Sequence, residues 1–364
     1  MKFNVLKESL ITQLQSLSAV ADKKQTLPIL SNILIKADEE QITLKSTDLE
    51  IELEFIVDNK NDLPGEITVP AKKLSDIVKE LPDGQIMFEL SEDGSKLLIK
   101  SSSGRYNLST IPASDFPDFD VVRSDNIYNI DRDTLTTLIQ KTSFAMANQD
   151  WRHYLNGCLF QKDLNKLVMV ATDAHRLATY TTTLEQDGEF SGIIPRKTII
   201  ELQKILTKSE EKIEFYINAN NIVFMCKNFT FKSKLVDGNY PNYSQVIPSG
   251  DGIEITIDRK SLLNTLSRVS VLSSEKFKGV KLCTKEDNLE VSAHNPDQES
   301  AEELVPLEKS SNGFDIAFNV NYLREVLATI EDDHISLVSY GPDKSAIIKS
   351  SDSSQILVLM PLLL

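Results

Sequence analysis

Thr172-Asp173-Ala174-His175-Arg176-Leu177 is the one stretch whose side chains suggest proton transfer, because an aspartate two residues from a histidine is a pairing that general acid–base catalysis uses. No nucleophile or second carboxylate at a defined spacing accompanies it, so a structural or binding role for this corner outweighs a hydrolytic one. The other histidines, His153, His294 and His334, lie in separate regions, which makes a multi-histidine metal site a poor reading. Cys158, Cys226 and Cys283 are odd in number, far apart and in no Cys-x-x-Cys spacing, which argues against a disulfide framework and a zinc site. Gly-x-Ser-x-Gly, Gly-x-x-x-x-Gly-Lys and Gly-x-Gly-x-x-Gly are all absent, and 13 glycines are few for a phosphate-cradling enzyme. The expectation is no catalytic residue, no metal and no cofactor.

Two further stretches suggest binding. Gln149-Asp-Trp-Arg-His-Tyr154 holds the only tryptophan beside Arg152, His153 and Tyr154, a mixture that can hold phosphate or stack on bases. Equally, Trp151 can plug a domain edge. The run Ile356–Leu364 has no charge; its first half reads as a buried final strand, and Pro361 to Leu364 lie past it. Those last residues are costly to leave in water unless they form an apolar groove of the kind that accepts short peptides. The competing reading folds the tail back on its own domain.

The elements that position these residues repeat. A β-branched or aromatic residue is followed five positions on by an aliphatic one, and three or four later by another. Val5 leads to Leu10 and Leu14, Val69 to Leu74 and Ile77, Ile130 to Leu135 and Leu138. Ile194 leads to Ile199 and Leu202, Ile257 to Leu262 and Leu266, Phe318 to Leu323 and Val326. Successive anchors are 64, 61, 64, 63 and 61 residues apart, so the chain is a sixfold internal repeat. Each anchor reads as the last inward residue of a strand that turns into a helix with a narrow aliphatic stripe. Asp131, Asp258 and Asn319 sit as N-caps, and Pro70 and Pro195 suit a first helical turn.

Short alternating segments follow each helix, for instance Gln85–Leu90, Lys96–Ser101 and Tyr106–Thr110, divided by Asp93-Gly94 and Gly104 as in hairpins. Such a unit cannot cover its own helix stripe and sheet face, so it needs a neighbour. Phe116-Pro-Asp-Phe119 and Tyr240-Pro-Asn-Tyr243 are one phrase repeated 124 residues apart and mark domain joints. Three α+β domains of two β-α-β-β-β units each follow, over 1–120, 121–247 and 248–364.

The net charge of −15 argues at first against nucleic acid. Its distribution is uneven. The helix windows 7–24, 71–80, 133–149, 196–208, 259–268 and 319–328 carry +1, +1, 0, +3, +3 and 0, leaving the rest strongly acidic. One side can therefore face a polyanion; alternatively, Lys and Arg are simply good helix formers on solvated faces. No apolar run approaches 18 residues, and Met1–Lys7 passes straight into a helix pattern, so a soluble, cytoplasmic protein without membrane contact is expected.

Taken together, Thr26-Leu-Pro-Ile-Leu-Ser-Asn32, Phe116–Phe119, Gln149–Gly157, Ala171–Leu177, Glu275-Lys-Phe-Lys-Gly279, Asn295-Pro296 and the Met360-Pro361 tail resemble, in order, the bacterial β sliding clamps, processivity subunits of DNA polymerase III. The similarity spans Lys2 to Pro361. It implies a head-to-tail homodimer ring with helices on the inner face and antiparallel sheets outside. It implies duplex DNA contact, without base reading, at Lys24, Lys73, Gln149, His153 and Tyr154. It implies a partner groove at Leu155, Thr172, Ala174, His175, Arg176, Leu177, Pro241, Val246, Val358, Met360, Pro361 and Leu362, which would receive short linear motifs of the replicative polymerase catalytic subunit, the clamp loader, other polymerases and repair proteins. It implies a subunit contact between Leu74, Val78, Arg105 and Leu108 of one protomer and Val271, Leu272, Glu299 and Glu303 of the next. The sequence departs from the family at Ala174, where glycine is usual, at Gln245, commonly basic, and at Leu362-Leu-Leu364, where many members carry a charge. Two other readings stand beside it: a hydrolase centred on Asp173 and His175, and a structural repeat protein that ignores DNA.

Overall fold

Six times along the chain a strand runs into a helix and three antiparallel strands follow. The computed structural model describes residues 1–21, 27–206, 212–309 and 313–363. Copy one is β1 (Lys2–Leu6), α1 (Ile11–Val20), β2 (Asn32–Ala37), β3 (Gln41–Thr47) and β4 (Ile51–Asp58). Copy two is β5 (Gly65–Pro70), α2 (Ala71–Glu80), β6 (Gln85–Leu90), β7 (Lys96–Lys100) and β8 (Arg105–Ser109). Copy three is β9 (Tyr128–Asp131), α3 (Arg132–Thr142), β10 (Gly157–Asp163), β11 (Lys166–Thr172) and β12 (Arg176–Thr183). Copy four is β13 (Phe190–Pro195), α4 (Arg196–Ile205), β14 (Lys212–Ile217), β15 (Asn221–Cys226) and β16 (Phe229–Lys234). Copy five is β17 (Ile253–Asp258), α5 (Arg259–Val269), β18 (Gly279–Lys285), β19 (Asn288–His294) and β20 (Ser300–Lys309). Copy six is β21 (Asp315–Asn319), α6 (Val320–Ala328), β22 (His334–Ser339), β23 (Ala346–Lys349) and β24 (Gln355–Leu359).

Every anchor is the next-to-last residue of its leading strand, and none is more than 3% exposed. That burial is what the repeat pattern records: a large apolar side chain closes the sheet's inner face where the chain turns into the helix. The helical partners are buried as well, with one exception. On α2 the inward positions are Leu74 and Val78, while Ile77 is half-exposed. Pro70 and Pro195 end β5 and β13, one residue ahead of the first helical turn, and Pro70 stands as an N-cap with no side-chain bond to offer. Asp258 and Asn319 do cap. Asp258 Oδ1 accepts the Ser261 N–H at 2.7 Å, and Asn319 Oδ1 accepts the N–H groups of Asn321 and Tyr322 at 3.0 and 3.4 Å.

By contacts the described chain forms two compact units, 1–135 with 197–235, and 136–196 with 236–364. The first holds an eight-stranded sheet, β5-β2-β3-β4-β16-β15-β14-β9, and a four-stranded sheet, β1-β6-β7-β8. In it α1 lies beside α2 and over β3 and β4. The second holds a twelve-stranded sheet, β13-β10-β11-β12-β24-β23-β22-β17-β20-β19-β18-β21, with α5 beside α6 and over β17, β19 and β20. These units do not coincide with the thirds 1–120, 121–247 and 248–364. The reason lies in the ladders: β16 pairs with β4 and β24 pairs with β12, so each half of the central third is hydrogen-bonded into a neighbouring sheet.

The Asp258 cap yields a test. Hydrogen bonds from Ser261, side chain first and backbone second, hold the Asp258 carboxyl below its ordinary 3.8. Asp258→Ala should lower stability by about 1 kcal/mol at neutral pH. A carboxyl depressed in the folded state stabilises above the unfolded value and loses that contribution as pH falls through the folded one. Urea unfolding should therefore show a constant gap between wild type and variant from pH 7 to about 5, closing below about 4.

Candidate partner groove and nucleic-acid interface

Where β12 meets β24, Leu177 faces Val358 across the ladder. With Leu159, Val168, Val170 and Ile193 they form an apolar cluster on the sheet face, and Tyr154, Val236, Tyr240, Tyr243 and Ile247 pack against it. Burial pushes the Tyr240 phenol far above its ordinary value, so the ring stays neutral in this interior. The cover is incomplete. It leaves a groove of about 270 Å³ lined by Arg152, Tyr154, Leu155, Thr172, Ala174, Arg176, Leu177, Pro241, Asn242, Tyr243, Val246, Val358 and Met360. Val246 and Met360, at 51% and 42% exposure, are apolar lips held open to water.

One wall is the tight turn from β11 to β12. Thr172 Oγ1 accepts the Ala174 N–H at 3.1 Å and donates to the Arg176 carbonyl at 2.6 Å. Asp173 Oδ1 accepts the N–H groups of His175 and Arg176 at 2.9 and 3.0 Å. This bonding forces Ala174 to a φ of 72°, a left-handed conformation that glycine adopts without strain and alanine does not. Arg176 then locks the turn to its surroundings. Its Nε meets Asp173 Oδ2 at 3.2 Å, Nη1 meets Glu325 Oε2 at 2.5 Å and Nη2 donates to the Phe144 carbonyl at 2.6 Å. The guanidinium also lies over the Tyr322 and Phe144 rings, 4.6 and 5.2 Å from their centres.

This geometry leaves no acid–base pair. Asp173 spends one oxygen on backbone N–H groups and the other on Arg176, while His175 points away to stack on Tyr322, with ring centres 5.8 Å apart. His175, Pro361 and Leu362 do not line this cavity itself. The tail leaves along a different route, since the Leu362 N–H bonds to the Ala317 carbonyl at 2.8 Å. Conversely Tyr154, expected on DNA, stands in the groove wall. Arg152, Asn242 and Tyr243 line the groove too. The repeated Tyr240-Pro-Asn-Tyr243 phrase marked that segment, but only as a joint.

The loop before the groove is held from within. Arg152 forks onto Asp150 through Nε and Nη2 at 3.0 and 2.9 Å, and Asn156 bonds the Asp150 backbone N–H and carbonyl. The Arg152 hydrogen bonds bring the Asp150 carboxyl down to about 2. Gln149 and His153 are exposed, and Trp151 is 82% exposed with Arg152 5.7 Å from its ring centre, so it plugs no edge.

On α2, Lys72 and Lys73 are exposed and have no ion-pair partner among the described residues, whereas Lys24 lies outside those residues. Much of the remaining helical charge is already matched: Lys141 by Glu331, Lys197 by Asp48, Lys204 by Glu201, Lys260 by Asp333 and Arg268 by Glu303. As built, the six helices carry 0, +1, +1, +2, +3 and 0.

The expected subunit contact needs correction on α2, because Leu74 and Val78 are core residues of their own unit and have no surface to offer. Arg105 is exposed and Leu108 buried on β8, next to exposed Tyr106. In the other unit, Val271 and Leu304 are exposed and Leu272 is half-exposed. Glu303 is already bound by Arg268 and Glu299 by Asn295.

Three family models match in order: DNA polymerase III beta subunit N-terminal domain over 1–120, central domain over 129–242 and C-terminal domain over 244–362. The chain is 39% identical to the beta sliding clamp of Pseudomonas putida and 38% identical to that of Escherichia coli K12, with all of both chains covered in each case. It superposes on the crystal structure of a Pseudomonas aeruginosa sliding clamp bound to griselimycin with a TM-score of 0.95 at 39% identity, all of both chains covered. A Bacillus subtilis sliding clamp gives 0.93 at 27% identity, covering 100% of this chain and 99% of that one.

Arg176 is the residue whose loss should be felt most here. Arg176→Ala leaves the Phe144 carbonyl and Asp173 without their partner and should cost about 3 kcal/mol in urea unfolding. Arg176→Lys should recover less than half of this, since a single ammonium cannot reach acceptors on three sides of a planar fork.

Proposed function

Since this chain belongs to the DNA polymerase III beta subunit family, we infer that it is a non-catalytic DNA polymerase processivity factor, acting as a ring-shaped homodimer that encircles duplex DNA and slides along it. Its groove receives short linear motifs of the replicative polymerase catalytic subunit, the clamp loader, other polymerases and repair proteins. Its domains run over 1–120, 121–247 and 248–364, and it works in the cytoplasm beside the chromosome.

The observation that carries this reading is a rule of strand pairing. The last strand of copy four pairs with the last of copy one, and the last of copy six with the last of copy three. Two last strands are left over. β8 is an edge of the four-stranded sheet, and the Ser300–Pro306 stretch of β20 is laddered on its β19 side alone among the described strands. Copy two and copy five thus lack the partners that their equivalents have. Pairing β8 of one protomer with β20 of the next, twice over, satisfies the rule and leaves no last strand unpaired. Tyr106, on the inner face with Leu108, and exposed Val271 supply the apolar contact, Ile77 and Leu272 extend it, and Arg105 on the outer face meets the acidic Glu302 side. Phosphate attraction to Lys72 and Lys73, with Gln149 and His153 as further contacts, needs no base reading. Weak, unspecific attraction is what sliding requires; enclosure provides the retention.

Protein loaded on a nicked circular plasmid should remain through gel filtration and run off once the plasmid is cut. The mass in solution should be twice that of one chain. Val271→Glu should give monomers that leave circular DNA as fast as linear DNA; a Val271→Glu protein that stays dimeric and retained, or a wild type released equally from both, refutes the ring.

A further inference from the structure

The turn that walls the groove has a twin in the first unit. Thr47 Oγ1 accepts the Leu49 N–H and donates to the Ile51 carbonyl, Asp48 Oδ1 accepts the N–H groups of Glu50 and Ile51, and Leu49 has a φ of 73°. Beyond it the Lys234 N–H bonds to the Glu50 carbonyl, as the Met360 N–H bonds to that of His175. The ladders fix the correspondence residue by residue. Glu52 faces Lys232 where Leu177 faces Val358; Lys45 stands for Val170 and Thr68 for Ile193. Phe116-Pro-Asp-Phe119 stands for Tyr240-Pro-Asn-Tyr243. The frame of a second groove is therefore present, with its apolar floor replaced by charge.

Glu52 is 3% exposed, with Oε1 2.8 Å from Lys232 Nζ as a charge contact and without an aligned hydrogen bond. Lys232 also donates to the Phe119 carbonyl at 3.3 Å, so it fastens the joint segment down over the floor. Lys45 and Glu54 form a second pair at 2.5 Å on the same face. An incoming aliphatic side chain would have to part these ions and strip their remaining contacts, which is far more costly than displacing water from Leu177 and Val358.

We propose that the Glu52–Lys232 pair closes the junction in the first unit to apolar peptide motifs and so restricts each protomer to one partner site. The proposal rests on reading the β12–β24 groove as the motif site. A consequence follows for the pair itself. Removing both charges together removes the block, whereas removing one leaves a buried ion unmatched.

Isothermal titration of the full-length protein with an acetylated hexapeptide whose apolar residues are leucine and phenylalanine provides the test. The unaltered protein should bind one peptide per protomer; binding none overturns both the groove and this proposal. Glu52→Leu with Lys232→Val should raise the stoichiometry to two while keeping the melting temperature, and each single substitution should lower that temperature. A folded double variant that still binds one peptide overturns the ion-pair block alone. Should the double variant not fold, a photo-crosslinking form of the peptide on unaltered protein decides. Labelling confined to the segments around Leu177 and Val358 supports the block, and labelling of 45–54 or 229–234 overturns it.

Discussion

Backbone hydrogen bonding at the last strand of each copy is the constraint on which the molecule depends. A β-α-β-β-β unit ends on a strand with one side unpaired, and a row of free N–H and C=O groups invites any other strand to join. Four of those six edges in each chain are used up by β4–β16 and β12–β24. That pairing fuses sheets from different copies into continuous layers, and it brings the turn after β11 next to the C-terminal strand. The groove is a by-product of an edge being covered. Its two sides come from chain segments some 180 residues apart because the ladder, and not the local sequence, determines who is adjacent.

The periodic parts of the fold could be read directly. Anchors such as Ile257 and Phe318 fall at the same strand position in all copies because a buried strand end followed by an amphipathic helix has few alternatives. Asp258 and Asn319 were visible as caps for the same local reason. The phase within α2 was not: Leu74, Ile77 and Val78 offer two stripes one residue apart, and only packing decides that Val78 goes in and Ile77 out. The tail was legible as far as Met360 in the groove, whereas the bond from Leu362 to Ala317 joins segments with no shared pattern.

In the site, residue types gave the chemistry to exclude more readily than the chemistry present. Asp173 beside His175 invites an acid–base reading until the hydrogen bonds show the carboxylate consumed by a turn and by Arg176. The decisive partner, Glu325, sits 149 residues further on, beyond the reach of any motif. Ala174 carried no signal of its left-handed backbone either, because glycine is the residue that normally announces one. Leu49 hides the same conformation in the equivalent turn. Only the Thr-Asp pair shared by both turns, whose side chains make identical bonds, marks them as one motif.

Those two turns show how duplicated junctions diverge without losing the frame. Backbone pairing tolerates any side chain on a half-covered sheet face, so the face is free to change while the ladder stays. A strip of Val170, Leu177 and Val358 leaves an apolar surface that is unfavourable in water and gains by taking up a partner. At the matching places Lys45 is paired with Glu54 and Glu52 with Lys232, and these ions gain nothing from an apolar visitor. A buried ion pair contributes little net stability compared with well-packed aliphatics, so its value in the first junction lies in discrimination. Identical backbone geometry thus yields a site in one unit and a sealed seam in the other, with the difference held in the polarity of a few cross-strand pairs.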